Sequence, residues 1–306
     1  MMGKKKSAAP GNLRLPVTIS NPDKIFWPEE GYTKRDLLEF YAGIFPLLQP
    51  YVRDRILTME RCPDGMRGEC FYQKEKPAGM PADTTTIRLD SPEGKRKATN
   101  YVVGGTLKTQ LALTNLGCIA VHVMNSRARA SRKPDWVCFD CDPESGKFAD
   151  AAAAGLYIKE VLDALGLKSF AKTSGSRGLH VFVPIQPTID ASDVLAFAQA
   201  VAKVVAGDHP QETTVEHAIA ARKGRVYLDP FRNAFGQTVV APYSVRRRAR
   251  APVSTPLAWK EVRTSLDPAE FNIATFAKRT NGTDPWKDFF DLRQSLTRAR
   301  AEIANL

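Results

Sequence analysis

Residues 135–143 read DWVCFDCDP. Two aspartates, Asp140 and Asp142, stand one residue apart at the end of an apolar run. A strand repeats every two residues, so both carboxylates leave the same face. Side by side they repel, and a cation or a shared proton makes that tolerable. A third carboxylate, Asp229, closes another apolar run, RVYLD. Three strand-borne carboxylates supply the oxygen ligands that two Mg²⁺ or Mn²⁺ ions take. A pair of such ions about 4 Å apart activates an attacking hydroxyl and neutralises a leaving phosphate. D-x-D also occurs in glycosyltransferases and phosphatases. Asp142 and Asp229 both precede proline, a common turn context.

Two further stretches offer phosphate chemistry. TSGSRGLHVFVP, residues 173–184, places small residues and hydroxyls between two strands, followed by Arg177 and His180. Such a turn can present backbone N–H groups, the Ser174 and Ser176 hydroxyls and a cation to a phosphate chain. A glycine-rich hairpin turn with a core histidine has the same appearance. The Walker pattern is absent. In YSVRRRARAPVSTPLAW, Arg246 and Arg248 share one face of a strand and Arg247 points away. An arginine fork suits triphosphate oxygens, and a solvated basic edge is the plainer alternative.

The whole chain sets the context. Forty-four Lys and Arg against 33 Asp and Glu give +11, with 43% hydrophobic and 25% charged residues in 306. The isoelectric point is near 9.5. The composition is that of a folded protein, and the charge favours a polyanionic partner, nucleic acid first. Five scattered cysteines do not suggest a secreted disulfide framework. Cys138 and Cys141 have a zinc-like spacing, but three apart on a strand they face opposite ways and read as buried free thiols. The start, MMGKKKSAAPGN, has no apolar segment after its basic residues, and no run approaches 18 apolar residues. The expected location is cytoplasmic and nucleoid-associated.

The elements that must position these residues follow from pattern. Residues 1–16 read as a flexible basic tail. YTKRDLLEFYAGIFPLLQPYV is a helix capped by Thr33 with Asp36 completing a capping box and Leu37, Leu38, Tyr41, Phe45 and Leu48 as its apolar stripe. RILTMER is a strand, followed by a Pro- and Gly-rich loop over residues 62–81 and short strands near 85–89 and 100–103. CIAVHVM and DWVCFD are buried strands. FADAAAAGLYIKEVLDALGL is a helix ended by Gly166. SFAKTSG and GLHVFVPI are strands around a tight turn, and ASDVLAFAQAVAKVVAGD is a helix. RVYLDPF and QTVVAPYSVR are expected to form a hairpin, and the tail from Pro256 to be mostly helical and polar. The mixture argues for an α+β (mixed α/β) fold.

Several blocks occur together: NPDKIFWPEEGYTKRDLLEFY, RCPDGMRGECFYQK, NLGCIAVHVMNSR, DWVCFDCDP, TSGSRGLHVFVP and LDPFRNAFGQTVVAPYSVR leading into APVSTPL. In these the chain resembles the polymerase domain of bacterial ATP-dependent DNA ligase D, in the archaeo-eukaryotic primase superfamily. That superfamily's D-x-D, small-x-His and apolar-Asp motifs match Asp140/Asp142, Gly178-Leu179-His180 and Leu228-Asp229. The resemblance implies a primase-like core within one domain over 17–306, with an N-terminal part (17–125), a catalytic part (126–255) and C-terminal helices (256–306). It implies that Asp140, Asp142 and Asp229 bind two catalytic metals, Mn²⁺ or Mg²⁺. Ser174, Arg177, His180, Arg246 and Arg248 would hold an incoming nucleoside triphosphate, with His122 near its sugar. Asn21, Lys24 and Lys34 would grip the 5′-phosphate across a DNA break; the N-terminus of the helix at Lys34 independently favours a phosphate. Phe71 and Tyr72 would stack on template bases, contributing about 1–3 kcal/mol per base, with Arg61 beside them.

Arg177, Arg232, Gln237 and Glu60 depart from common family residues, Glu60 at a place basic in some relatives. The implied reaction is template-directed nucleotidyl transfer, with ribonucleotides preferred, filling gaps and extending ends in double-strand break repair by non-homologous end joining. Implied partners are DNA ends, end-binding Ku and a DNA ligase. No K-x-D-G ligase motif is present, so ligation would come from outside these residues. A metal-dependent nuclease and a catalytically inactive DNA-end binding module are the competing classes. A nuclease degrades strands with Mn²⁺ alone; an end binder binds in a salt-sensitive way without turnover.

Overall fold

The computed structural model describes residues 16–90, 98–280 and 284–303. The expected basic tail, Pro16 apart, lies outside them. The chain opens with β1 (Ile25–Trp27), β2 (Tyr32–Thr33) and α1 (Lys34–Val52). Strands β3 (Arg55–Arg61), β4 (Phe71–Gln73), β5 (Thr86–Leu89) and β6 (Thr99–Val102) follow, then α2 (Leu107–Asn115). The middle runs β7 (Cys118–Arg127), β8 (Trp136–Pro143), α3 (Phe148–Ala164), β9 (Phe170–Thr173), β10 (Leu179–Pro184) and α4 (Ala191–Asp208). The last part comprises β11 (Thr213–Thr214), α5 (Ile219–Arg222), β12 (Val226–Asp229), β13 (Val239–Val240), β14 (Pro256–Leu257), α6 (Phe276–Thr280) and α7 (Thr297–Ile303).

Two sheets carry the site. One has six strands in the order β11-β12-β8-β10-β9-β14, the other four in the order β13-β7-β3-β4. All pairings are antiparallel except β11 with β12. Alternation along β8 explains how the six-stranded sheet is covered. Val137, Phe139 and Cys141 pack with Leu179, Val181 and Val183 against α3 and α4. Trp136, Cys138 and Phe182 belong to the second core, shared with α1 and the four-stranded sheet. The α+β expectation holds, as does the α1 capping box: Asp36 N donates to Thr33 Oγ1 and Thr33 N to the Asp36 carboxylate.

Several expectations do not hold. RVYLDPF and QTVVAPYSVR form no hairpin; β12 pairs with β8 and β13 with β7, in different sheets. The segment after Pro256 is not a run of polar helices. It contributes β14, short helices, and Trp286 and Phe289, both buried in the core between the sheets. The Pro- and Gly-rich loop contains β4. Cys62 and Cys70 are joined in a disulfide that closes the turn before it, while Cys118, Cys138 and Cys141 are buried free thiols. Among the described residues no helix is long and apolar enough to cross a membrane.

A buried ion cluster joins the two sheets. Arg55 of β3 is fully buried, its guanidinium 3.4 Å from the Trp136 ring centroid. It donates to Asp135 Oδ1 at 2.6 Å and to the Met124 carbonyl at 3.1 Å. Arg127 of β7 donates to the other Asp135 oxygen at 2.7 Å. Removing the carboxylate strands a buried charge. Asp135→Ala should therefore destabilise the fold by about 3–5 kcal/mol in urea unfolding; a loss below about 1 kcal/mol, the scale of an exposed pair, would contradict this role.

Candidate active site between the two sheets

Strand register brings four chemistry-bearing residues onto one level. Asp229 of β12 pairs with Asp140 of β8, Asp140 with His180 of β10, and His180 with Lys172 of β9. Directly paired residues on adjacent strands share a face, so the four side chains form a transverse row on the face away from α3 and α4. Asp142 lies one step further along β8, opposite Tyr227.

Asp140 and His180 of this row open onto a cavity of about 470 Å³ between the sheets; Asp229 and Lys172, at the two ends of the row, do not line it. Asp140, Asp142 and His180 form one wall; Thr58, His122 and Val240, with Tyr72 of β4, form the other. Ser174, Ser176, Arg177, Arg232, Gln237, Arg246 and Arg248 complete the rim. Arg246 and Arg248 reach it from a loop, not from the strand expected, and Arg247 turns away to a buried Glu60 at 2.9 Å. Glu60 thus acts as an internal partner. The turn after β9 is shaped from within: Ser174 Oγ accepts from the amides of Ser176 (3.2 Å) and Gly178 (3.1 Å), so those two N–H groups are already engaged. Gly175 has φ +70°, and a Cβ there would stand 2.6 Å from Arg246 Cγ, so glycine lets the arginine lie across the turn.

Charge is balanced by cations, and Arg232 is central. Its Nε stands 3.2 Å from Asp140 Oδ2 and 3.3 Å from Asp229 Oδ2. Arg222 meets Asp142 at 3.2 Å. Burial alone would raise the Asp140 carboxyl, but His180 and Arg232 outweigh it and hold it well below the usual range. Burial and the neighbouring Asp140 push Asp229 up against the opposing pull of Arg232. Burial, with Lys172 alongside, lowers the His180 imidazole to about 4. Burial and the nearby Arg246 and Arg232 keep His122 well below its usual value, so both imidazoles are neutral at pH 7. His122 Nε2 is buried without a partner.

Whether the acidic set suits divalent ions is answered by what lies there. A guanidinium sits between Asp140 and Asp229, and carboxylate oxygens are the donors Mg²⁺ and Mn²⁺ take. The donor chemistry fits. As arranged, no group of three His, Cys, Asp or Glu among the described residues is closed up around a metal position. Arg232 is 39% exposed and Asp142 51% exposed, so both have room to reorganise.

The second predicted cluster is a separate region. Lys24 and Lys34 are adjacent, with Lys34 N donating to the Lys24 carbonyl at 2.9 Å. Lys24 is paired with Asp64. Lys34 is buried, and its ammonium donates to Ser20 and Asn115 oxygens. The Lys34 and Arg35 amides are taken by the Lys24 and Pro22 carbonyls and the Asp36 amide by Thr33, so this helix end offers fewer free N–H groups than its sequence suggests. Asn21 is exposed at φ +46°. Phe71 and Tyr72 are 41% and 60% exposed, so neither ring is in the core. Tyr72 meets the His122 ring edge-on at 5.4 Å. Arg61 is turned inward to the Leu116 carbonyl and Gln73.

Two helices on one face of the six-stranded sheet, and a cleft between that sheet and a second one, define a primase-like polymerase fold. A solved polymerase domain of Mycobacterium tuberculosis ligase D in complex with DNA shares it, with a TM-score of 0.83 at 24% identity over 92% of this chain and 100% of that one. The family model for the LigD primase-polymerase domain matches residues 33–286, and the chain belongs to that family. The bifunctional non-homologous end joining protein LigD of Bacillus subtilis is 32% identical over 277 residues, 90% of this chain and 44% of that protein. The multifunctional LigD of Pseudomonas aeruginosa is 30% identical over 295 residues, 92% of this chain and 34% of that protein. The chain thus spans less than half of either relative.

Sequence reasoning missed Lys172 and Arg222, and noted Arg232 only as a departure from family residues, not as the partner of Asp140 and Asp229. The signal for Lys172 was a lysine inside an apolar strand, which becomes meaningful only once the register with His180 is known. Burial lowers its ammonium to about 7, from about 10.4 in an unfolded chain. Between those values the unfolded chain binds more protons than the native one, so this group makes stability rise with pH from about 7 to about 10. In urea unfolding, the stability of the parent minus that of Lys172→Met should climb across that window; a flat difference would contradict the buried setting.

Proposed function

We infer that this chain is a template-directed nucleotidyltransferase that fills gaps and extends ends during double-strand break repair by non-homologous end joining. The observation that carries this reading is that Asp140, Asp142 and His180 line a cavity rimmed by arginines, with Asp229 paired beside Asp140 in the sheet and joined to it through Arg232. Family membership and the net charge of +11 support a nucleic-acid substrate. We read residues 17–306 as a single domain, supported by β8 and β10, which contribute to both cores.

Asp140, Asp142 and Asp229 are the residues that would hold two divalent ions, Mn²⁺ or Mg²⁺, once Arg232 and Arg222 withdraw. Bound there, such ions would lower the pKa of an attacking hydroxyl and neutralise phosphate charge. Ser174, Arg177, His180, Arg246 and Arg248, all lining the cavity, would be the partners of the triphosphate. His122, unpartnered at Nε2 and lining the cavity, would meet the sugar, and a ribonucleotide preference is part of this reading. Tyr72 and Phe71 offer ring faces to template bases at the cavity edge. Positioning and charge neutralisation carry the rate, and no side-chain nucleophile is needed.

Lys24, with Asn21 beside it, is the more available half of the 5′-phosphate pocket, Lys34 serving as its buried support. Ku and a DNA ligase are the proposed partners, and a cytoplasmic, nucleoid-associated setting suits them. Primer extension on a gapped template with Mn²⁺ tests the assignment. Asp140→Ala should lower the rate by at least about a hundredfold, and Lys24→Ala should lose the preference for a downstream 5′-phosphate while keeping extension. Extension by Asp140→Ala at the parent rate would sink the metal assignment.

A further inference from the structure

Lys172 ends the transverse row with no solvent exposure. Its Nζ is 2.9 Å from His180 Nδ1, 2.6 Å from Ser254 Oγ and 5.7 Å from the Phe182 ring centroid. None of these is an anion. Ser254 Oγ donates onward to the Thr173 carbonyl at 2.8 Å, so towards Lys172 it is the acceptor. An ammonium has three N–H donors and no acceptor; here they face a hydroxyl oxygen, an imidazole nitrogen and a ring face. The imidazole nitrogen that meets them must be bare. The other ring nitrogen, Nε2, stands 3.2 Å from Asp140 Oδ1; a carboxylate oxygen only accepts, so Nε2 carries the proton.

The charged form of a buried lysine with no contacting anion is unfavourable, which is why burial lowers this ammonium to about 7. Its retention is explained if an anion arrives in the working state. The cavity in front of the row gathers Lys74, Arg177, Arg232, Arg246 and Arg248, a setting for a polyanion. We propose that Lys172 is a positioning residue: it locks His180 as the Nε2–H tautomer facing the reaction cavity, and its buried charge is matched when the polyphosphate of a nucleotide enters. The second half of this proposal rests on the reading of the cavity as a triphosphate site; the first half does not. A lysine that merely filled space between β9 and β10 would affect stability and leave the tautomer alone.

Long-range ¹H–¹⁵N spectra of the full chain with labelled histidine read the tautomer directly. Only four histidines are present, and His180→Gln identifies the relevant signals. The parent should show Nε2 protonated and Nδ1 bare. In Lys172→Met the two tautomers should mix, and affinity for a non-hydrolysable nucleoside triphosphate should fall by about tenfold or more, with primer-template affinity retained. An Nδ1–H tautomer in the parent overturns the proposal without any variant, so it stays testable if Lys172→Met does not fold. A folded Lys172→Met that binds the triphosphate as tightly as the parent overturns the charge-matching half. A parent that binds no triphosphate overturns that half through the cavity reading itself, and the tautomer then decides the positioning half alone.

Discussion

Two carboxylates facing each other across adjacent strands are the constraint on which the rest of this structure depends. Asp140 and Asp229 are directly paired between β8 and β12, a placement that like charges disfavour. The fold answers with guanidinium groups and a hydrogen bond: Arg232 between the acids, Arg222 on Asp142, and the neutral His180, backed by Lys172, against Asp140. Register makes this possible. A slip of one residue on β8 would send Asp140 and Asp142 into the apolar layer under α3 and α4 and bring Phe139 and Cys141 to the cavity. The same alternation that builds the core therefore aims the acids.

The second sheet gives the site its enclosure. The Arg55–Asp135–Arg127 cluster joins β3 and β7 to the start of β8, at the end of that strand away from the acids. The cavity lies at the level of the acids, and Thr58 and His122 of the second sheet face it. The surplus of positive charge at its rim is unfavourable in the free protein and becomes an attraction once a polyanion enters.

Local features were legible in the sequence because local rules decide them. The α1 capping box, the apolar stripe, the strands carrying the acids and the opposite facing of Cys138 and Cys141 all follow from periods of 3.6 and 2. What the sequence did not disclose was pairing. QTVVAPYSVR reads as a natural return strand for RVYLDPF, yet its two strand residues lie in the other sheet, because β7 offers Val239 and Val240 a buried edge. The C-terminal segment reads as polar around a few aromatics, and those aromatics, Trp286 and Phe289, are its anchor in the core. Helix α2 has weak amphipathicity, is rich in threonine, and is set by its Thr106 cap. The disulfide between Cys62 and Cys70 and the Lys172–His180 contact join residues whose proximity depends on turns and register. The candidate acids could be named from spacing; the cations that make them tolerable could not.

The central claim is that Asp140, Asp142 and Asp229 together form a divalent-metal centre beside a triphosphate site. Anomalous diffraction from crystals soaked with Mn²⁺ and a non-hydrolysable nucleoside triphosphate tests it most directly. The account predicts manganese density shared by these three carboxylates, with Arg232 swung off Asp140 and Asp229. Manganese bound elsewhere, or nucleotide seated in the cavity with Arg232 still bridging the two acids, would contradict it.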